Sequence, residues 1–571
     1  MSEGSAEYSL DVVAPVATAF GTEHRPLAPR PTSLEGLTLG LLWNVKPNGD
    51  VALRAAAAAI EAQVEGLKVR FYDGGIPVAS ALLDRIAHEC DVVLACTADC
   101  GSCTSWLTHD CVQLERRGTP AVIICSAGFE DDLETSARAF GMPGLQYALV
   151  PKVYNNIEPE EAEQITRPVV GELVKLLTSG VVAPGTTDAT LTETQVINFT
   201  GPEPLAVLEQ FNARYLANEW GAGLPLLPRV PQRVAALVAA VDGGPDDLVC
   251  VLPPGNGRAT VHNVAVNAAM AGCTPQEMPT IMAALRAVAK VAPPWNLAGL
   301  MSTSAHAPIF FTNGPVGGEL GINGGRGCLG PGKQNAVNLR IGRAILLCLK
   351  NIGVWNHGVM DMDSVGSPRK HISFFAENEA ESPWPAFHVS RGYRTEQSTV
   401  TVLFTQGELD MGIQGHTDGR QLAKAIASMV PPAGSLPTQT FIFGDEVTQS
   451  PEGRLVIIPP PHAVPIAEAG FTKDGLARLF HNEVRDTVEK FREPLQKLNA
   501  DGKTRPEWAW MFDLSAEEAR RTTVQSIERP DQFYFVVAGS VRAKDLSFPT
   551  VNLPVTEPIV TNPAGLQEGD K

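Results

Sequence analysis

Between residues 37 and 180, short apolar runs alternate with helix-forming segments, and this restricts the fold more than any other feature of the chain. Leu37–Trp43, Cys90–Cys96, Pro120–Cys125 and Tyr147–Val150 are short, mainly apolar segments, and Leu67–Tyr72 alternates apolar residues with Lys68 and Arg70; all five read as strands. The Ala-rich segment Ala52–Val64, then Val78–Ala87, Gly101–Arg116, Leu133–Phe140 and Pro159–Leu177, read as the helices that follow them. Strands separated by helices form a parallel sheet covered on both faces. The expectation is a doubly wound, flavodoxin-like α/β domain over 33–180, followed by further α/β regions. Ligands of such sheets sit outside the carboxyl ends of the strands. Three loops converge on that edge: Asn44–Asn48, Cys96–Cys103 and Cys125-Ser126.

On either side the pattern changes. Residues 1–32 are rich in Pro and small residues and are expected to be a loosely held, flexible arm. Residues 180–200, rich in Gly, Pro and Thr, look like a linker. A more helical α/β domain is expected over 200–395, with helices at Leu205–Leu216, Arg233–Ala240, Thr260–Ala271, Pro275–Val291 and Gln334–Asn351, and strands at Pro308–Thr312 and His371–Phe375. A third α/β domain is expected over 396–571, with strands at Thr399–Phe404, Thr438–Phe443, Arg454–Ile458 and Phe533–Ala538 and helices at Gly419–Met429 and Lys473–Phe491.

The chemistry-bearing residues concentrate in one place. Of 10 cysteines and 11 histidines, Cys96, Cys100, Cys103, Cys111 and His109 fall within the 21 residues Asp91–Cys111, which run from the third strand into the helix after it. Cys100-Gly-Ser-Cys103 sits at that helix start, where unpaired backbone amides favour a thiolate. One thiolate of such a pair attacks and the other resolves the adduct as a disulfide. Asp99 is adjacent; its charge opposes thiol ionisation unless the side chain caps the helix.

Metal binding competes with this reading. Cys96-x3-Cys100-x2-Cys103 has the spacing of the iron–sulfur motif of radical S-adenosylmethionine enzymes, but Ser102 stands where that motif carries an aromatic residue. Cys100, Cys103, His109 and Cys111 are zinc-type ligands, yet Cys111 shares an apolar stripe with Leu107 and Leu114. No metal ligand and no cofactor is therefore assigned, and an external thiol is the reductant the cysteine pair would need. Cys96 and Cys125 end neighbouring strands, an arrangement that serves two-thiol racemases but equally suits small buried residues.

Gly327–Lys333 fits the first seven positions of a P-loop, but Gln334 lacks the hydroxyl that would meet Mg²⁺. Arg326, Lys333 and Asn313 in this glycine-rich stretch, with Asn44, Lys46 and Asn48 after the first strand, are the candidate substrate-binding residues. His109 joins Cys100 and Cys103 as a candidate catalytic group. His306, His357, His371 and His388 are scattered, and Glu377 and Glu379 follow an apolar strand.

A net charge of −18, with no block of Lys or Arg, argues against nucleic-acid and anionic-membrane partners. Pro and polar residues interrupt each long apolar stretch, and the first twenty residues lack a basic region followed by an apolar core. Locally clustered cysteines suit a reducing, cytoplasmic setting. The expected partner is a small molecule, with homo-oligomerisation left open.

The run Asp99-Cys-Gly-Ser-Cys-Thr-Ser-Trp-Leu-Thr-His-Asp110 resembles the UGSC-motif family, named for a selenocysteine-Gly-Ser-Cys tetrad in which many members carry cysteine first. The resemblance places Cys100 at the selenocysteine position and Cys103 at the second. It extends to Asn44-Val-Lys-Pro-Asn48, Asn313-Gly-Pro315 and Phe375-Ala-Glu-Asn-Glu379, from about residue 36 into the C-terminal region. The first domain is also distantly similar to the selenoprotein subunits of glycine and proline reductases. That similarity implies thiol-dependent cleavage of a carbon–heteroatom bond, with a redox-neutral covalent reaction at Cys100 (lyase, hydrolase or racemase-like) as the alternative.

Overall fold

A computed structural model describes residues 7–16, 25–75, 78–179, 196–293, 295–412, 418–430, 452–500, 502, 504, 506–541 and 544–565. Strand β1 (Tyr8–Val13) lies apart from the first sheet. That sheet comprises β2 (Thr38–Trp43), β3 (Lys68–Asp73), β4 (Val92–Ala98), β5 (Ala121–Ser126) and β6 (Gln146–Val150). All its pairings are parallel, in the order β3-β2-β4-β5-β6. Burial follows that order: β4 and β5 are buried throughout, whereas the edge strands β3 and β6 show exposed positions.

The helices are α1 (Gly49–Glu61), α2 (Ser80–Glu89), α3 (Gly101–Arg116), α4 (Glu130–Ala139), α5 (Pro159–Thr166) and α6 (Val170–Thr178). α1 packs with α5 and α6, and α3 packs with α2 and α4, so the sheet is wound on both faces as expected. The single helix expected over Pro159–Leu177 is split by a 3₁₀ turn at Arg167–Val169. Pro168 has no N–H to donate, and its ring crowds the preceding turn.

The expected arm is anchored at two places among its described residues. β1 pairs antiparallel with β7 (Val196–Gly201), and Val12 and Val13 enter the core of the second region. Farther on, Ala28 and Arg30 bind the buried carboxylate of Glu115 on α3. Alternating apolar residues in Tyr8–Val13 account for the strand, a pattern that the Pro-rich surroundings obscure.

Beyond β7, a hairpin of β8 (Leu248–Leu252) and β9 (Gly257–Thr260) leads into the second region's helices. The main strands that follow are β10 (Ala307–Asn313), β11 (Ser373–Ala376), β12 (Thr399–Thr405), then β13 (Leu409–Met411) and β14 (Gly453–Ile458). After the small pair β15 (Arg485–Thr487) and β16 (Thr523–Gln525) come β17 (Phe533–Val537), β18 (Asp545–Thr550) and β19 (Val555–Pro558).

One eight-stranded sheet runs β11-β10-β12-β18-β14-β17, with β13 on β18 and β19 on β12. It passes through the boundary expected at 395/396, because β10 pairs with β12 along seven residues. The order is palindromic in kind. β10 has a parallel neighbour (β11) and an antiparallel one (β12); β14 has a parallel neighbour (β17) and an antiparallel one (β18). One face supplies Ile309, Phe311, Phe375, Leu403, Leu455, Ile457, Val536 and Phe548 to a shared inner core. Residues of the other face, offset by one as the pleat requires, pack outward: Phe310, Phe374 and Val402 in one helical layer, Val456, Ile458 and Phe535 in another. Asn378 N–H donates to Val537 O (2.7 Å), so the ends of β11 and β17 meet and the sheet curls on itself.

The helix expected over Lys473–Phe491 stops at Glu483, where the chain turns into β15. The strand expected at Thr438–Phe443 lies outside the described residues. Among the described residues, no helix is long and apolar enough to cross a membrane.

Candidate functional site: the Cys100–Cys103 turn

β4 leaves the sheet through an irregular register between Ala95 and Ala98, and α3 begins three residues later. Asn44 fixes this exit. Its Nδ2 donates to Thr97 O (2.7 Å), and its Oδ1 accepts from Thr97 N–H (2.8 Å). The Asn44–Asn48 loop bends through left-handed backbone at Val45 (φ 55°) and Asn48 (φ 62°). For a β-branched residue such as Val45 that conformation costs on the order of 1–3 kcal/mol and points to a constraint elsewhere. Asn48 anchors the opposite wall, its Nδ2 donating to Tyr154 O (2.9 Å) and Ile157 O (2.7 Å).

Cys100, rather than Asp99, caps α3: its Sγ accepts from Cys103 N–H at 3.3 Å. The two sulfurs are joined as a disulfide, with Cα atoms 5.3 Å apart. Cys100 is partly exposed and Cys103 is buried. Of the two, Cys100 is the more accessible, and Cys103 belongs to the core of the first domain.

Asp99 is 4 % exposed and accepts from Thr97 Oγ1 at 2.9 Å. Its Oδ2 makes no hydrogen bond, although the backbone N–H groups of Asn155 and Tyr154 face the carboxylate. Burial pushes this carboxyl above the usual range, and the Thr97 hydroxyl, the Lys46 charge and those two amides oppose the shift. Lys46, in turn, is pushed down by burial and held up by Asp99.

The covering side comes from residues that sequence reasoning had not singled out. Met362 lies against Gly101, its Cβ and Sδ 3.6 and 3.7 Å from where a side chain at that position would begin, with Asp132 Oδ2 at 3.7 Å. Leu297, Met301 and Met360 join the core of the first domain. The second region's cavity of about 380 Å³, lined by Trp355, His357, Asp361, Lys370 and His371 among others, takes none of its lining from this turn. Nothing in the local sequence around Met362 signals this role; the contact exists only once the chain is folded.

Other expected site residues lie elsewhere. His109 is the ninth residue of α3, about 12 Å from its start at the helical rise, and its Nδ1 pairs with Asp110 Oδ1 (3.0 Å). Asn313 Nδ2 donates to Glu377 Oε2 (2.6 Å) and Glu379 Oε1 (3.0 Å), while Glu377 also meets Lys473 Nζ (3.0 Å). These bonds tie the strand ends of the long sheet together. Arg326 and Lys333 are exposed on a glycine-rich connector stitched by Asn323, Asn335 and Asn338. A three-residue 3₁₀ turn, Lys333–Asn335, follows Gly332 and leads directly into the α-helix Ala336–Asn351, close to the expected helix start. The structure brings Asn44, Lys46, Asn48, Cys100 and Cys103 together, and leaves Asn313, Arg326, Lys333 and His109 outside that group.

Cys96 and Cys125 are fully buried, and burial raises both thiols, Cys125 to about 12. Among the described residues, one group of thiol and carboxylate ligand atoms comes within 4.8 Å of one another, formed by Asp99, Cys100 and Cys103. The disulfide occupies two of its three members, and Cys96, His109 and Cys111 stand outside it.

A doubly wound α/β domain with a closed Cys-x-x-Cys pair where its third strand meets a helix is the class these features define. Residues 11–179, from β1 through α6, match the family model described as the UGSC family. Comparison with curated proteins and with solved structures gave no match.

Proposed function

We propose that the protein is a thiol-dependent oxidoreductase acting on a small, anionic metabolite in the cytoplasm. In this proposal the Cys100 thiolate attacks an activated carbon of the substrate and displaces its heteroatom group, which leaves with the bonding electron pair. The Cys103 thiolate then attacks the Cys100 sulfur. A disulfide forms, the carbon–sulfur bond breaks, and the carbon departs with that electron pair and takes up a proton. The substrate is reduced by two electrons and the cysteine pair is oxidised by two; an external thiol restores the pair. Lys46, at the rim beside Asn44 and Asn48, supplies the positive charge for an anionic group.

The observation that carries this reading is the asymmetry of the pair: Cys100 reaches solvent while Cys103 waits beneath it at disulfide distance. The test is intact-mass trapping in a crude metabolite extract. Reduced wild-type protein should return to the disulfide form, and Cys103→Ser should hold a covalent adduct on Cys100. A redox-neutral reaction would give the adduct without any disulfide. Unchanged turnover by Cys100→Ser would remove the proposal.

A further inference from the structure

We propose that the Asp99 carboxyl is the proton carrier of the cysteine pair, accepting the Cys103 proton as the disulfide forms and returning it as the disulfide is reduced. This rests on the thiol chemistry proposed above. Cys103 is only 2 % exposed, so its proton needs an acceptor within the protein. The Asp99 carboxylate and both sulfurs lie within 4.8 Å of one another, a span crossed directly or through one water. One carboxylate oxygen is held by Thr97 Oγ1, and the other is buried with no closely aligned donor, the Asn155 and Tyr154 amides only facing the carboxyl. By contrast, the buried carboxylate of Glu115 is fully engaged, with Ala28 N, Ala121 N and Arg30 all bonded to it.

The groups around Asp99 come from each neighbouring element. Lys46 contributes positive charge from the loop before α1, Cys96 and Cys125 stand on β4 and β5, and Tyr154 approaches from the loop after β6. Asp50 of α1 faces Cys96, and Asp132 of α4 lies beside Gly101. Burial is the largest influence on Asp99 and raises its pKa, favouring the neutral form that can give a proton to a leaving thiolate. In the oxidative direction, Cys103–SH gives its proton to the carboxylate and the thiolate attacks the Cys100 sulfur. In the reductive direction, the thiolate of an external dithiol attacks that sulfur, the S–S bond breaks, and Cys103 leaves as a thiolate that takes the Asp99 proton.

The test uses the full chain in its disulfide form and dithiothreitol, with no substrate. Reduction is timed from about pH 5 to about pH 8 and divided by the thiolate concentration of the reagent. The wild-type rate should fall on the order of 10-fold as the carboxyl ionises. Asp99→Asn should give a flat profile that starts about 10-fold lower at the acidic end. Asp99→Glu should restore the slope. Thr97→Val, which removes a hydrogen bond that stabilises the charged carboxylate, should move the midpoint upward. A profile of folded Asp99→Asn that superimposes on wild type, or an unmoved midpoint in Thr97→Val, overturns the assignment. Should the wild-type pair fail to form a disulfide on oxidation, the enzymatic proposal falls with it; should it form and ignore Asp99, only the proton role falls.

Discussion

Glu115 shows what a buried carboxylate requires when its role is architectural. Its two oxygens accept from Ala28 N, Ala121 N and both terminal nitrogens of Arg30, at 2.7–2.8 Å, and the ion pair is almost wholly shielded (side chains 4 % and 0 % exposed). Replacing such a pair with apolar groups can be neutral, but removing one partner strands the other charge. Glu115→Ala should therefore lower the unfolding free energy by about 3–5 kcal/mol in urea titration. A loss below about 1 kcal/mol, the usual size for an exposed pair, would mean that Arg30 finds water instead. His306 gives a pH-dependent counterpart. Buried and bonded through Nδ1 to Ala298 O (3.0 Å), it is lowered to about 4, chiefly by burial. The folded state thus binds its proton less readily than the unfolded chain. Its stabilising contribution is complete above the unfolded value of 6.5 and declines as pH falls toward 4. Between pH 7 and pH 5, wild-type protein should lose about 2 kcal/mol more than His306→Gln, measured by urea unfolding at the two pH values.

At the scale of elements, what was legible was what is local. Mainly apolar runs, and for β3 alternation of apolar with charged residues, identified all five strands of the first sheet, and the cysteine turn declared itself by its helix start. β18, Asp545-Leu-Ser-Phe-Pro-Thr550, was not legible, because only Leu546 and Phe548 alternate and Pro549 argues against a central strand. Pairings such as β12 with β18 depend on residues far apart in the chain, which no local pattern specifies. The same limit applies to the site. Asp99 was visible beside Cys100, but its proximity to Lys46 and its unpaired oxygen come from folding. Close approach between elements makes a sharper prediction. A methyl group on Gly419 would strike the Pro465 carbonyl where two helices meet, whereas one on Gly171 of α6 meets nothing within 4 Å. Gly419→Ala should destabilise by about 1–3 kcal/mol through overpacking. Gly171→Ala should stabilise by about 0.5–1 kcal/mol through helix propensity. Thermal melting of the two variants should shift in opposite directions.

For the whole molecule, the question is whether the two halves work as one around the cysteine pair. β1 inserts into the second region while Arg30, a short way along the chain, locks onto α3, so one strap joins both cores. From the other side, Leu297, Met301 and Met360 fill the first domain's core, and Met362 rests on Gly101 beside the disulfide. Met362 is 8 % exposed, and truncating it to Ala removes the atoms that cover the turn without touching either sulfur. If that segment governs access, Met362→Ala should speed reduction of the disulfide on the order of 10-fold for a bulky thiol such as glutathione and less for dithiothreitol, since opening a site helps the larger nucleophile more. Some stability is lost in any large-to-small core change, about 2–5 kcal/mol for a buried Met, so the rates belong well below the variant's own unfolding transition. The comparison of two reductants separates access from loosening: general destabilisation accelerates both alike, whereas an opened lid changes their ratio. An unchanged ratio would show that reagents reach Cys100 by a path that the second half of the chain does not cover.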